Sequence, residues 1–437
     1  MGRPAQTSGG FLEAWQQLVG AWTPPVPRGL GRPPRVSVSE LLSALTYHAL
    51  HGTGTLSQHF AQLFDAPLAD SSWAERRQRL PWNVFTGLMQ RVLRPRADPR
   101  QHPDAFWRGW RIVALDGTQF SLTNTPQVLT AFVKARTRRG RAAFAKMTAT
   151  VLLEIGWHNP IGAAIGRAGE SEWALGQRLL ASLPPQALLL ADRLYGVPVF
   201  VAAALHQCAA VGSHLLVRVR HDITCRVLRR YPDGSRQVRV RVRARGRPGR
   251  IVSTFELREI RVVVARRGQR SHQLRLWTTL DPDAAPALAL AELYAHRWEH
   301  ELYFRALKRQ LRHTALLQSH TAETAAQEIA ALVLASALIA AERAKAATGR
   351  APVLCISFAA VLEVTRAMWF TLQLAGDVLQ RRQVDVILQR AYTLAGTCVT
   401  RKRPGRQCPR ALRQPSRAWP RLRQSYSRTV PVTFRVA

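Results

Sequence analysis

Two uninterrupted apolar runs constrain this chain more than any other feature. Arg111-Ile-Val-Ala-Leu115 stops at Asp116-Gly117, and Ala187-Leu-Leu-Leu-Ala191 stops at Asp192. Short apolar runs bounded by turn signals read as buried strands. Further strands are expected at 148–155 and 161–165, and helices at 171–183 and 198–210. The order β-β-β-α-β-α is that of a mixed sheet flanked by helices.

The flanks have a different character. Residues 11–22 and 39–50 carry helical spacing, and five prolines between 24 and 34 form a linker. Ser37-Val-Ser-Glu40 has the pattern of a capping box. From 214 to 280 the chain reads as strands alone. Pro232-Asp-Gly234 marks a hairpin, after which Arg239, Arg241, Arg243 and Arg245 alternate with Val240, Val242 and Ala244. Period-two alternation puts these arginines on one face. Helical spacing returns at 284–313 and continues at 325–347, 352–375 and 378–395. The organisation expected is a helical region at 1–105, an α/β core at 106–213 and 283–346, a β insertion at 214–282, helices at 347–400 and a tail at 401–437. That tail has 11 basic residues, no acidic one and five prolines. It is expected to be extended and at best partly ordered alone.

Charge decides the partner class. Lys and Arg number 63 against 27 Asp and Glu, a net charge of +36, and five of the 63 are lysines. Such a chain needs a polyanion, and nucleic acid is the first candidate. The first residues lack the apolar core of a signal peptide. The longest apolar stretch, 329–341, falls short of the roughly 20 residues a bilayer requires, so no membrane partner is expected. The five cysteines are scattered with no C-x-x-C pair, which argues against a disulfide framework and fits a reducing cytoplasm.

With carboxylates scarce, Asp116 and Asp192 at the ends of two buried strands draw attention. Either alone could be a turn former; strand ends are also where open α/β sheets present reactive groups. The third element is the expected helix Tyr294-Ala-His-Arg-Trp-Glu-His-Glu-Leu-Tyr-Phe-Arg-Ala-Leu-Lys308. At about 100° per residue, Tyr294, Arg297, Glu301 and Lys308 share a stripe about 60° wide. Leu293, Phe304 and Leu311 flank it on one side, Trp298 and Leu302 on the other. A polar stripe between apolar flanks suits a helix turning functional groups into a cleft. Glu299 lies off the stripe, so Glu301 is the carboxylate of choice. His296 and His300 are four apart but lack the H-E-x-x-H order of a zinc motif, and read as polar helix residues beside DNA.

The spacing Tyr294-x2-Arg297-x3-Glu301-x6-Lys308 resembles the YREK signature of DDE transposases of the insertion-sequence-four group, bacterial cut-and-paste enzymes. Ala114-Leu-Asp116-Gly-Thr118 and Leu190-Ala-Asp192-Arg193 resemble that family's first and second aspartate motifs. The β segment between Asp192 and Glu301 resembles its insertion domain. Leu194 departs from the pattern, where many relatives carry glycine. The resemblance spans roughly residues 105–315. It implies an RNase H-like fold in which Asp116, Asp192 and Glu301 hold two Mg²⁺ ions, with Mn²⁺ able to substitute. Arg297 and Lys308 would then hold phosphates and Tyr294 donate to a phosphate oxygen. Arg218 would lie near the DNA end, and Trp277 would stack a flipped base unless it is a strand tryptophan of the β core. Carboxylate oxygens suit Mg²⁺, and phosphodiester hydrolysis is well served by paired cations.

The expected function is metal-dependent cleavage at transposon ends and transfer of the 3′-OH into target DNA. The partners would be terminal inverted repeats, target DNA and a second copy of the chain, in the bacterial cytoplasm at the nucleoid. Helices after residue 320 are the expected dimer contact, the N-terminal helices the repeat-binding part, and Arg239, Arg241 and Arg243 a phosphate-tracking face. Two alternatives stay open: a non-catalytic basic nucleic-acid-binding protein, and an RNase H-like nuclease without strand transfer.

Overall fold

The computed structural model describes residues 10–20, 36–81, 84–137, 140–244, 247–266, 271–312, 314–375, 378–400 and 432–436. Five helices lead: α1 (Phe11–Val19), α2 (Val38–Leu50), α3 (Leu56–Phe64), α4 (Asp70–Arg79) and α5 (Val84–Val92). The capping box of α2 is formed. Ser37 Oγ accepts from the Glu40 amide at 3.2 Å, and the Glu40 carboxylate accepts from the Ser37 amide at 2.8 Å. Two donors left over at the helix start are thereby satisfied. The proline linker lies outside the described residues.

The apolar run at 111–115 becomes part of a longer strand. After β1 (Phe106–Trp107), β2 runs Trp110–Ser121. Asp116 and Gly117 therefore sit in mid-strand, where the sequence reading had placed a turn. Beyond α6 (Pro126–Ala131) and the small hairpin β3 (Arg136–Thr137) and β4 (Gly140–Arg141) comes β5 (Lys146–Glu154). β2 pairs antiparallel with β5 from Val113↔Glu154 through Ser121↔Lys146 without a break. That ladder carries the strand past the Asp-Gly signal. Gly117 has another purpose: a Cβ there would lie 2.2 Å from Glu172 Cδ. Glycine inside a strand marks such close approaches.

β6 (Asn159–Ile165), α7 (Glu172–Leu179) and β7 (Ala187–Ala191) follow. The sheet order is β6-β5-β2-β7. An antiparallel meander with the fourth strand beside the first is the RNase H-like order. β7 is buried throughout, and α7 packs on β5 and β6.

The described residues form two compact units. The first holds residues up to 190, with 207–213 and 297–399. The second holds 191–206, 214–296 and the residues from 400 onward. After α8 (Pro198–Ala210), the second unit continues with β8 (His214–Arg218), β9 (Arg226–Arg230), β10 (Arg236–Ala244), β11 (Arg247–Arg266) and β12 (His272–Thr278). Their order is β8-β12-β11-β10-β9, with every pairing antiparallel. On β10, Val238, Val240 and Val242 are buried while Arg239, Arg241 and Arg243 are exposed; Arg245 lies outside the described residues. β13 (Val432–Val436) pairs with β11, so this part of the tail is a strand, and 401–431 lies outside the described residues. α9 (Ala287–Tyr294) packs on β11 and β13.

The single helix expected at 284–313 is broken. A 3₁₀ turn, Ala295–Arg297, separates α9 from α10 (Trp298–Ala306), which runs into a π turn, Leu307–Leu311. Three more helices complete the first unit: α11 (Ala322–Ala347), α12 (Phe358–Ala375) and α13 (Arg381–Thr397). By length and composition α11 could cross a membrane, but 89% of its apolar window is buried inside the protein. It packs on α2 and β6 as a core helix. Thr324, Gln327, Ser336, Glu342 and Arg343 of this helix are buried too; Ser336 Oγ, for example, lies 2.9 Å from the Tyr303 hydroxyl.

Candidate active site

Within the first unit, Asp116 of β2 meets two side chains from the segment 297–301. The Arg297 guanidinium donates to Asp116 Oδ2 at 3.3 Å and to Glu301 Oε1 at 2.9 Å. The first bond spans 181 residues; the second is one helical step. Arg297 and Asp116 side chains are about one-seventh exposed and Glu301 rather more. Asp116 also accepts from the Gly117 amide at 2.9 Å. Two carboxylates sharing one cation make a partly desolvated spot that calls for positive charge.

Lys308 reaches the same strand from the π turn. Its Nζ donates to Thr118 Oγ1 at 2.5 Å and to the Gln119 carbonyl at 2.8 Å, over the Phe120 ring. Burial, aided by the charges of Arg312 and Lys146, pushes its pKa down to about 8. Thr118 was not singled out from the sequence as a functional residue. The available signal was its place two residues after Asp116, on the same strand face. π turns recur at functional sites.

Glu299 lies off the stripe as expected, and other residues of this helix face elsewhere. Glu299 bonds His158 Nε2 at 3.0 Å. His300, expected as a polar residue beside DNA, is instead a core residue with no exposure. Its Nε2 bonds the Val151 carbonyl at 3.0 Å and its ring packs 4.6 Å from that of Phe304. Burial pushes its pKa down to about 3. Trp298, expected on an apolar flank, is 52% exposed. For His300 the physical reason is the helix's own geometry: at about 100° per residue it lies over a quarter-turn from Glu301, on the side of α10 that meets Val151 of β5.

The second unit holds the other candidates. Asp192 follows β7 and closes a turn: its carboxylate accepts from the Leu194 amide at 2.6 Å, and its carbonyl from the Tyr195 amide at 3.2 Å. Leu194 has no positive φ, so the turn forms without the glycine many relatives carry. Tyr294 is buried and its hydroxyl donates to the Ala191 carbonyl at 3.3 Å. Arg218 ends β8 opposite Leu276. Trp277 is fully buried; its Nε1 donates to Glu259 at 3.0 Å and the Arg275 guanidinium lies 5.6 Å from its ring. As it stands, it offers no face to a base and fits the β core. Arg239 is bonded to Glu256, while Arg241 and Arg243 share its exposed face. His296 is exposed. Within either unit, among the described residues, no three carboxylate, imidazole or thiol groups stand as a ready-made ion site.

Residues 107–338 match a family model described as a transposase DDE domain. The chain is 24% identical over 275 residues to the transposase InsG for insertion sequence element IS4 from Escherichia coli K12, covering 62% of this chain and 60% of that protein. It is 28% identical over 129 residues to the putative transposase InsZ of the same organism, covering 29% of this chain and 43% of that one. The chain thus spans less than two thirds of these relatives' length. Among solved structures, a cryo-EM piggyBac transposase synaptic complex with hairpin DNA aligns with a TM-score of 0.43 and 8% identity, covering 89% of this chain and 87% of that chain.

Proposed function

Since the chain belongs to the family of DDE-domain transposases, we propose that it cuts DNA at the ends of a mobile element and joins the freed 3′-OH to target DNA. The supporting observation is the grip of Arg297 on both Asp116 and Glu301. Hard carboxylate oxygens around a spot already holding a cationic group fit a divalent ion. Asp116, Glu301 and Asp192 would hold two Mg²⁺ ions, or Mn²⁺ in their place. Bound there, they would acidify water and offset charge on the leaving oxygen.

The chain's own groups do the rest. Arg297 lies between the carboxylates and would turn one of its Nη groups to the phosphate being cut, where a planar guanidinium binds two oxygens at once. Lys308, held at Thr118, supplies a second positive charge. Tyr294 and Arg218 are proposed as contacts to the DNA end, and Arg239, Arg241 and Arg243 as a face that tracks phosphates. A water oxygen bonds to phosphorus as the P–O3′ bond breaks, and the 3′ oxygen leaves as a hydroxyl. In the second step that hydroxyl attacks a target phosphate and the target's 3′ oxygen leaves. No side-chain nucleophile is used. Two element ends call for two copies of the site, hence a homodimer on DNA.

The test is incubation with a labelled duplex taken from the DNA flanking the coding region, with and without Mg²⁺ or Mn²⁺. Cut ends and a joined product are expected. Glu301→Gln should slow cutting by at least about a hundredfold, the low end of what a positioned catalytic group contributes. Cutting at the parental rate by that variant would remove Glu301 from the site. Cut ends that never join would favour the nuclease reading.

A further inference from the structure

The second unit contains a cavity of 440 Å³ lined by His221, Arg230, Arg236, Arg261, Gln273 and Arg275, among others. Strand register explains its chemistry. Arg236 on β10, Glu259 on β11 and Trp277 on β12 are direct neighbours across the sheet, and Arg261 faces Arg275 in a nearby row. Residues two apart on a strand share a face. Glu259 and its arginines therefore project together, on the face opposite the row of Arg239, Arg241 and Arg243.

Glu259 is fully buried. It accepts from Arg236 Nε at 2.9 Å, Arg261 Nε at 3.1 Å, Trp277 Nε1 at 3.0 Å and Arg275 Nε. Burial works to raise its pKa, but the Trp277 bond and the Arg275 and Arg236 charges outweigh it and hold the carboxyl below the ordinary range. Arg275 spends its outer nitrogens on the carbonyls of Arg220, His221 and Ile223 and on Cys225 Sγ. Arg236 and Arg261 differ. Each is fixed by its Nε, and among the described residues neither has a further bonded partner for its Nη pair. Both line the cavity.

Three guanidinium groups on one carboxylate, with Arg230 lining the same cavity, leave it strongly positive, and two of the three are oriented in advance. Planar donor pairs match the oxygens of a phosphate. The cavity is larger than a bare phosphate and falls in the size class of small-ligand pockets. We propose that it binds the phosphate group of a nucleotide, gripped by Arg236 and Arg261 with Arg230 and His221 at the mouth. The nucleotide is a link in a DNA strand or a free molecule, since both present the same oxygens. The proposal stands on this unit's geometry; its DNA arm alone rests on the chain acting on DNA.

Full-length protein carrying Arg236→Gln, Arg261→Gln or Arg230→Gln is to be titrated with two probes. One is a fluorescent DNA duplex over a series of KCl concentrations; the other is dTMP, followed by calorimetry. Loss of one phosphate contact should weaken binding by about tenfold and lower the slope of log affinity against log salt by about one. Loss for the duplex assigns the phosphate to DNA; loss for dTMP alone assigns it to a free nucleotide. Arg230 makes no bond to Glu259, so its variant keeps the test valid should the other two unfold. Unchanged binding of both probes in the folded variants overturns the proposal. Neither titration reads cleavage, so a protein that fails to cut DNA still reports on the cavity.

Discussion

Arg297 is the residue on which the proposed chemistry turns, and only half of its role was legible. The four-residue step to Glu301 follows from helix geometry. The bond to Asp116 joins strand to helix across 181 residues and leaves no periodic trace. Lys308 offers the sharper test. Its pKa, pushed down by burial to about 8, means that it is charged below that pH and neutral above. If it holds a phosphate, kcat/KM for end cutting, which reports the free enzyme, should fall as pH rises through about 8. Lys308→Arg keeps its charge throughout this range, so its profile should lose that fall. Lys308→Met should be slow at every pH and also lack the inflection. An inflection near 8 that persists in Lys308→Met would detach this lysine from the reaction.

At the scale of elements, the strands were largely legible and the junctions were not. The runs ending at Leu115 and Ala191 announce strands because four or five unbroken apolar residues between turn signals are hard to place elsewhere. Asp116-Gly117 misleads because glycine reads as a turn until Glu172 is seen against it. The 3₁₀ turn at 295–297 is silent because no proline or glycine marks it. The turn after Asp192 is the junction most open to experiment. A Cβ on Gly196 would lie 2.0 Å from the Arg218 carbonyl oxygen and 2.8 Å from Val219 Cα. Neither backbone atom can yield without moving the turn or the end of β8. Gly196→Ala should therefore cost about 1–3 kcal/mol in thermal unfolding, the range of overpacking. Cutting should fall further, by about a hundredfold, if Asp192 shifts by an ångström. A variant that melts and cuts like the parent would show that the approach is looser than the structure has it.

For the whole molecule, a net charge of +36 speaks of a polyanion partner but not of where the charges go. Several arginines are interior: Arg258 is bonded to the Leu280 and Ala285 carbonyls, and Arg343 to those of Leu354 and Ile356. The histidines follow a similar division, and those buried in the first unit give it an acid limit. His48 Nδ1 lies 2.7 Å from His59 Nδ1, and the His51 ring lies tilted 4.6 Å from that of His59. Burial first, then neighbouring positive charges, lowers His48 to about 4 and His59 to about 3, and lowers His51 as well. His300, the most enclosed, is lowered to about 3, and His158 is lowered too. His48, His59 and His300 are neutral when folded near pH 6.5, whereas the unfolded chain begins to protonate them there, and His51 and His158 are shifted in the same direction. Their stabilising effect is thus complete above about pH 6.5 and lost progressively as pH falls toward 4 and 3. At pH 5, His300 alone should account for roughly 2 kcal/mol of the loss. Glu259 and Asp233 are held below the ordinary carboxylate range, so they add to the loss only in stronger acid. The unfolding midpoint should fall by several degrees between pH 7 and pH 5, and His300→Phe should flatten that fall by removing a proton site. A midpoint that stays level over this interval in the parent protein would mean that these imidazoles are not held neutral in the folded chain.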